Sequence, residues 1–376
     1  MKLLFVLGSR GEWGYIRPIV ELAKTKGHEP AIWACNMSVL DRFGNLVDEI
    51  TKDGYPVVGT ALTAVDGDSN AALAKSFGLT ALSATDWLVN NHYDWVVIAG
   101  DRVEQVAFVV SAAILRTPIC HIQAGERSGN IDGMSRHAIA RYAHLHFAAN
   151  QDAVTRLIKS GEEENRVHLT GAPQLDDLEL HDIPTVEELI ERRIVKNPDF
   201  ILAVMHGVTE EEALNEKNIK ILCEVLANQS ASIIWIGSNN DTGASAIRGT
   251  ITSSLRAKDM FYSNVNRLDY LALLKHSKYL IGNSSSGILE APSFGKPVIN
   301  LGNRQKDRVR GINVIDADFL SDNIEKAIDK AEGLEFISVA SQSTNPYGDG
   351  QSSARILEIL EKTDITPGLL NKQISY

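Results

Sequence analysis

The feature that most narrows the fold of this chain is its rhythm of short apolar runs alternating with longer helical patterns. Runs over Lys2–Leu7, Glu29–Cys35, Trp95–Ala99, Pro118–Gln123, Leu145–Ala149 and Val167–Thr170 are rich in Val, Ile and Leu and lack polar alternation. Such runs read as strands of a parallel sheet covered by helices on both faces. Helical periodicity fills the intervals near 16–26, 41–52, 69–90, 103–115, 134–142 and 152–160. The pattern breaks at Gly171-Ala172-Pro173, a predicted hinge, and residues 174–198 are polar and charged. It then restarts, with strands expected at Phe200–Met205, Ser232–Gly237, Met260–Tyr262, Tyr279–Gly282, Pro297–Leu301 and Ile312–Ile315. Helices are expected near 210–228, 267–276, 286–295, 319–332 and 352–362. The chain therefore reads as two doubly wound α/β domains, residues 1–172 and 173–376, facing a central cleft. The C-terminal helix is free in this scheme to pack back on the first domain. The tail 363–376, which carries Pro367, is expected to pack loosely.

Composition removes several function classes. No apolar run reaches the roughly 18 residues of a membrane helix. The N-terminal apolar stretch Leu3–Leu7 is too short for a signal peptide and reads as a first strand. Cys35, Cys120 and Cys223 lie far apart in apolar segments, as reduced thiols of a cytoplasmic protein would. The formal net charge of −11 argues against a general nucleic-acid binder, which needs a basic surface. It leaves room for a small anionic ligand held by a few local cations.

One such site is predicted after the strand that ends at Gly282. Asn283-Ser284-Ser285-Ser286-Gly287 is a small-residue turn into a helix, where backbone N–H groups and hydroxyls suit a diphosphate. Glu290, one turn beyond Ser286, is placed to accept from a ribose diol. The same residues also fit a Ser N-cap opening an ordinary helix. Arg304, Lys306, Arg308 and Arg310 follow the next strand, as an anion-binding loop or a solvated one. Arg10, in Gly8-Ser9-Arg10, is expected to reach the same anion from the other domain. Neither GxGxxG after the first strand nor GxxxxGK[ST] is present, so dinucleotide and P-loop readings are weak.

A second site is predicted where Gly100-Asp101-Arg102-Val103-Glu104 and the run His121 to Asp132 leave their strands. Ligands of open α/β sheets collect at such strand ends. Asp101, Glu126 and Asp132 are thereby aimed at one crevice. Carboxylates sharing a pocket raise one another's pKa, which suits taking a proton from carbon and returning one. Asp101 and Asp132 also fit simple helix N-caps. His144 and His146 flank a strand start and read as structural, and no His spacing matches a metal motif. His206 ends the first strand of the second domain and is a candidate to face the cleft.

Together these residues resemble the hydrolysing UDP-N-acetylglucosamine 2-epimerases of sialic and legionaminic acid synthesis. The resemblance runs from Gly8 to about Arg310. It rests on Gly100–Glu104, His121–Asp132, Arg136-His137-Ala138-Ile139 and Asn283–Gln305. It implies two Rossmann-like domains in a glycosyltransferase-B-like arrangement. It further implies loss of the nucleotide diphosphate from C1 with removal of the C2 proton, giving a 2-acetamidoglycal. Water then adds at C1 and a proton returns to C2 on the other face, with no metal or redox cofactor and in a homo-oligomer. Asp101 and Asp132 match the family's catalytic aspartates, while Gln123 stands where some members carry Glu. An amide cannot act as a base, so Gln123 is expected to position substrate and Glu126 becomes the nearby acid candidate. Arg10, His206, Ser284, Ser285, Ser286, Gly287, Glu290 and Arg304 are the expected substrate-binding set. Tyr15, where relatives often carry Lys, and Gly207, where Pro often follows the His, are further departures. Three readings compete: a hydrolysing epimerase on UDP-N-acetylglucosamine or a 2,4-diacetamido analogue, a non-hydrolysing epimerase, and a nucleotide-sugar binding protein without turnover.

Overall fold

Each apolar run identified above forms a strand in the computed structural model. The structure describes residues 1–66, 69–127, 131–208, 212–237 and 243–376, and within these the side chains of residues 131, 132, 179, 180, 212 and 213 are not described. The chain divides into two compact units: unit 1 comprises Met1–Arg127, Ile131–Leu180 and Tyr347–Tyr376, and unit 2 comprises His181–Pro346.

Unit 1 is built on β1 (Lys2–Leu7), β2 (Glu29–Cys35), β3 (Val57–Ala61), β4 (Trp95–Ala99), β5 (Ile119–Ile122), β6 (Leu145–Ala148) and β7 (Val167–Leu169). All pairings are parallel, in the order β3-β2-β1-β4-β5-β6-β7. Unit 2 carries β8 (Phe200–Val204), β9 (Ser232–Ile236), β10 (Met260–Tyr262), β11 (Leu280–Gly282), β12 (Val298–Leu301) and β13 (Val314–Ala317). These are also parallel, in the order β10-β9-β8-β11-β12-β13.

The missing polar alternation now has its cause. Leu3, Phe5 and Leu7 of β1 enter one buried cluster and Leu4 and Val6 enter another on the opposite face. In unit 2, Ile201 and Ala203 of β8 point to one cluster and Phe200, Leu202 and Val204 to the other. Successive side chains of a strand leave on opposite faces, so a sheet covered twice needs an apolar residue at every position. β3 was not anticipated. It is the edge strand, only half buried, and Gly59 interrupts its apolar run. A Cβ at Gly59 would lie 2.7 Å from the Trp87 ring, so the position is small because a ring packs over it.

In each unit the strand order reverses once, between β1 and β4 in unit 1 and between β8 and β11 in unit 2. Chains leave the sheet in opposite directions at such a switch point, opening a crevice at the strand ends.

The tail departs from its expected looseness. Arg166 donates to Leu369 O at 2.8 Å and Gly368 O at 3.0 Å, and Ser375 N to Gly161 O at 3.1 Å. Lys372 Nζ donates to Ala140 O and Ala143 O, both at 2.7 Å, and pairs with buried Glu162 at 2.8 Å. Ahead of it, Ile356, Leu357 and Leu360 of the helix Ser352–Lys362 join the core over β1. The N-terminus of that helix is held by Asp176, whose carboxylate accepts from Ser352 N and Ser353 N at 3.0 and 2.6 Å. Among the described residues, no helix is long and apolar enough to cross a membrane.

Candidate active site

The unit 1 switch point is built from two turns. β1 ends at Leu7, and the Gly8-Ser9 turn leads into the helix Arg10–Thr25. Glu12 closes this turn by accepting the amide hydrogens of Gly8 and Ser9 at 2.5 and 2.9 Å. Arg10 is held within unit 1, its Nη1 lying 3.0 and 2.8 Å from the two Glu49 oxygens. Any anion it takes must share it with that carboxylate.

β4 ends at Ala99 and turns through Gly100, whose φ of +81° is the left-handed conformation glycine tolerates. His121 of β5 sets this turn, with Nε2 2.8 Å from Gly100 O. Burial pushes its imidazole down to about 3, so the ring is neutral and Nε2 carries the donated hydrogen. Asp101 follows. It is not the cap of the next helix, since Arg102 occupies the N-cap of Val103–Ile114. Its carboxylate instead pairs with Arg136 Nη2. Arg136 Nη1 reaches Glu126 Oε2 at 3.2 Å, and Glu126 Oε1 accepts from Asn150 Nδ2 at 3.3 Å. A buried line therefore runs Asn150, Glu126, Arg136, Asp101. Exposure rises along it: the Glu126 side chain is 3% exposed and that of Asp101 18%. The sequence brought these carboxylates together as acids, whereas the geometry makes Glu126 a partner of the arginine. Gln123 takes a φ of +55° and gives its Nε2 to Gln174 Oε1 at 2.9 Å, also buried.

Asp132 lies in the helix Ile131–Tyr142, one turn before Arg136, with its side chain outside the described residues. Ser128, Gly129 and Asn130 are likewise outside them. His144 accepts Ile119 N–H at Nδ1 at 3.0 Å, and His146 Nε2 pairs with Glu162 at 3.0 Å. Both are thus structural. Among the described residues no group of His, Cys, Asp and Glu is arranged to hold a metal ion.

The unit 2 switch point joins the ends of β8 and β11. Gly282 closes β11 at a φ of +133°, and a Cβ there would stand 1.9 Å from Val204 O. Only glycine lets the two strands approach at this point. Asn283 then clamps the facing turn: its Oδ1 accepts His206 N–H at 2.7 Å and its Nδ2 donates to His206 O at 2.9 Å. Arg304 Nη1 and Gln305 Nε2 donate to Asn283 O at 3.2 and 3.0 Å. His206 is neutral, its pKa driven far down by burial and by the Arg304 charge. Sequence reading singled out His206 and Arg304 but not the asparagine that joins them.

The helix after the serine turn is shorter than expected. Ser286–Leu289 is a single α-turn, followed by a 3-10 turn over Ala291–Phe294 that opens on Pro292. The donors here are therefore those of a turn rather than of a long helix. Ser284 and Ser285 are partly exposed. Ser286 is buried against Tyr270 and lies 2.9 Å from Ser284 Oγ. Gly287 faces inward, where a Cβ would meet Val298 Cγ1 at 2.7 Å, so it serves packing. Glu290 pairs with Arg267 Nη1 at 2.9 Å through Oε1, while its other oxygen, Oε2, is buried without a partner among the described residues. Arg267 and Tyr270 share the helix Arg267–His276, three residues apart, a spacing that places both on one face.

A curated protein of Legionella pneumophila, a hydrolysing UDP-N,N'-diacetylbacillosamine 2-epimerase, is 31% identical over 379 residues, covering 100% of this chain and 99% of its own. The UDP-N-acetylglucosamine 2-epimerase of Neisseria meningitidis is 31% identical, covering 89% of this chain and 88% of its own. A crystal structure of UDP-GlcNAc 2-epimerase from Neisseria meningitidis bound to UDP-GlcNAc superposes with a TM-score of 0.82 at 22% identity, covering 96% of this chain and 100% of that one. The chain has the glycosyltransferase-B-like α/β fold of that enzyme, and, matched over residues 21–361 by the family's sequence model, it belongs to the UDP-N-acetylglucosamine 2-epimerase family.

Proposed function

We propose that this chain is a hydrolysing 2-epimerase that converts UDP-N-acetylglucosamine and water to N-acetylmannosamine and UDP. The observation that carries this reading is what lies at the two switch points: carboxylates in unit 1, and a hydroxyl-rich turn beside His206 and Arg304 in unit 2. An α/β sheet directs a ligand to such points.

In this reading Ser284, Ser285 and Arg304 take the diphosphate, Glu290 takes the ribose, and Arg10, shared with Glu49, meets negative charge. Fixed donors aimed at a leaving diphosphate stabilise it as charge develops there. One of Asp101 and Asp132 removes the C2 proton while the C1–O bond to UDP breaks, and the 2-acetamidoglycal forms. Water then adds at C1, and the other aspartate delivers a proton to the opposite face of C2. Gln123 orients the sugar by hydrogen bonding, and Glu126 holds Arg136 on Asp101. The chemistry needs no redox step and no metal.

The Legionella relative supports the hydrolysing outcome and favours a second substrate, the UDP-2,4-diacetamido-2,4,6-trideoxy sugar, and a relative named polysialic acid biosynthesis protein P7 supports a product used for a sialic-type acid. We also propose a cytoplasmic location, which suits a chain whose three cysteines are buried and free. We further propose a homo-oligomer, supported by the helix Asn70–Asn90, where Leu79, Leu82 and Val89 stand exposed between few charges. The deciding experiment incubates the protein with each UDP-sugar in D2O. Free 2-epimerised sugar deuterated at C2, with UDP, is the expected product. Intact UDP-ManNAc would replace this reading with the non-hydrolysing reaction, and binding without turnover would replace it with a sensor.

A further inference from the structure

Two carboxylates beneath the unit 1 switch point take no part in the chemistry above. Glu12, in the first turn of the helix Arg10–Thr25, is 2% exposed, and Glu104, in the first turn of Val103–Ile114, is 1% exposed. Both converge on Gly8. Glu12 Oε2 accepts the Gly8 N–H at 2.5 Å, and a Cβ on Gly8 would lie 2.6 Å from Glu104 Cγ. Arg102 Nε pairs with Glu104 Oε1 at 2.7 Å. From β2, the buried thiol of Cys35 faces the same pair, its pKa raised by burial and then by both carboxylates. Gln105 lies alongside, its Nε2 donating to Val6 O at 3.2 Å.

Charge counting then constrains the protonation state. Two carboxylates and one guanidinium leave one negative charge over in a buried place. Like charges in one low-dielectric pocket do not both persist when one group can take up a proton. Burial, followed by Glu104, moves Glu12 far above the usual carboxylate range, against the opposing pull of Arg102 and the Gly8 amide. Glu104 keeps the guanidinium. We propose that Glu12 holds a proton at neutral pH and that Glu12 and Glu104 act as positioning residues for the turns that present Arg10 and Asp101. Glu12 grips the β1 turn through the Gly8 and Ser9 amides, and Glu104 grips the β4 turn through Arg102. The Glu12 proton lets both carboxyl groups pack against Gly8, where the two turns meet. Its loss at high pH sets two like charges against each other and lets the turns part.

The test needs no substrate and so is separate from the reaction proposed above. Infrared spectra of the whole protein carrying carboxyl-13C glutamate should show the carbonyl stretch of a protonated, buried carboxylic acid at pH 7. That band should vanish in Glu12→Gln and weaken in Glu104→Gln. The urea midpoint of the native chain should fall as pH rises from about 5 to 8, and Glu12→Gln should flatten that fall. A native protein without the glutamic acid band overturns the proposal, and this readout requires no variant to fold. An activity arm, resting on the 2-epimerase reading, expects the alkaline limb of turnover to move up by about one pH unit in Glu12→Gln. An unmoved alkaline limb in an active variant overturns the positioning role.

Discussion

Replacing Arg136 with Met removes the cation between Asp101 and Glu126 while keeping most of the side chain's volume. Breaking a buried ion pair from one side leaves an uncompensated charge, at about 3–5 kcal/mol. Glu126 bears most of this, because its side chain is 3% exposed while Asp101, at 18%, can recruit water. For a body of this size each kcal/mol shifts the melting temperature by roughly 2–4 °C, so unit 1 should melt roughly 6–20 °C lower. Tryptophan fluorescence reports this unit selectively, since Trp13, Trp33, Trp87 and Trp95 lie in it and Trp235 in the other. The decisive comparison is the double variant Arg136→Met with Glu126→Gln. Glutamine keeps an oxygen for Asn150 and removes the stranded charge, so the double variant should be more stable than Arg136→Met alone by about 1–2 kcal/mol. Pairing Arg136→Met with Asp101→Asn should recover less. If the Glu126 and Arg136 effects simply add, the buried line from Asn150 to Asp101 is not an energetic unit and the argument fails.

Further outcomes are expected. Asp101→Asn and Asp132→Asn should abolish sugar release while calorimetry finds UDP affinity within about threefold of the native chain; retained turnover in either would remove that residue from the acid–base pair. Gly282→Ala should give little soluble protein, since its Cβ would stand 1.9 Å from Val204 O at a φ of +133°; a native circular dichroism spectrum would contradict this. Burial pushes His121 down to about 3 and His144 to about 4, so the unfolded chain takes up protons below about pH 6.5 that the folded chain refuses. The contribution of these two histidines should therefore be complete above that pH and fall as pH drops toward 4, by up to about 1.4 kcal/mol per unit and group, and His144→Gln should shallow the acid-side slope of the urea midpoint. Leu82→Glu should lower the mass measured by light scattering if the exposed face of Asn70–Asn90 joins copies, and an unchanged oligomer would exclude that face.

The strands were legible because each central one is apolar on both faces, a signal local to a few residues. β3 escaped because an edge strand needs only half of it, and Gly59 answers to the Trp87 ring across the helix above. The switch-point residues were also legible, since a strand end followed by a polar turn is written in consecutive positions. The pairings made there were not. Arg10 with Glu49, Arg136 with Asp101, and Asn283 with His206 each join separate elements. Which charges meet depends on sheet register and helix rotation, neither of which local pattern encodes. Glu290 and the serines were read as ligand groups, and their protein partners Arg267 and Tyr270 came only with the fold.

The return of Tyr347–Tyr376 to unit 1 has a temporal consequence. A ribosome delivers His181–Pro346 as one uninterrupted stretch, so unit 2 has all its strands while unit 1 still lacks the helix that seals Ile356, Leu357 and Leu360 over β1. Domains generally fold in the order they are made. Here the half that begins first finishes last, and its apolar face over β1 stays open to chaperones through most of synthesis.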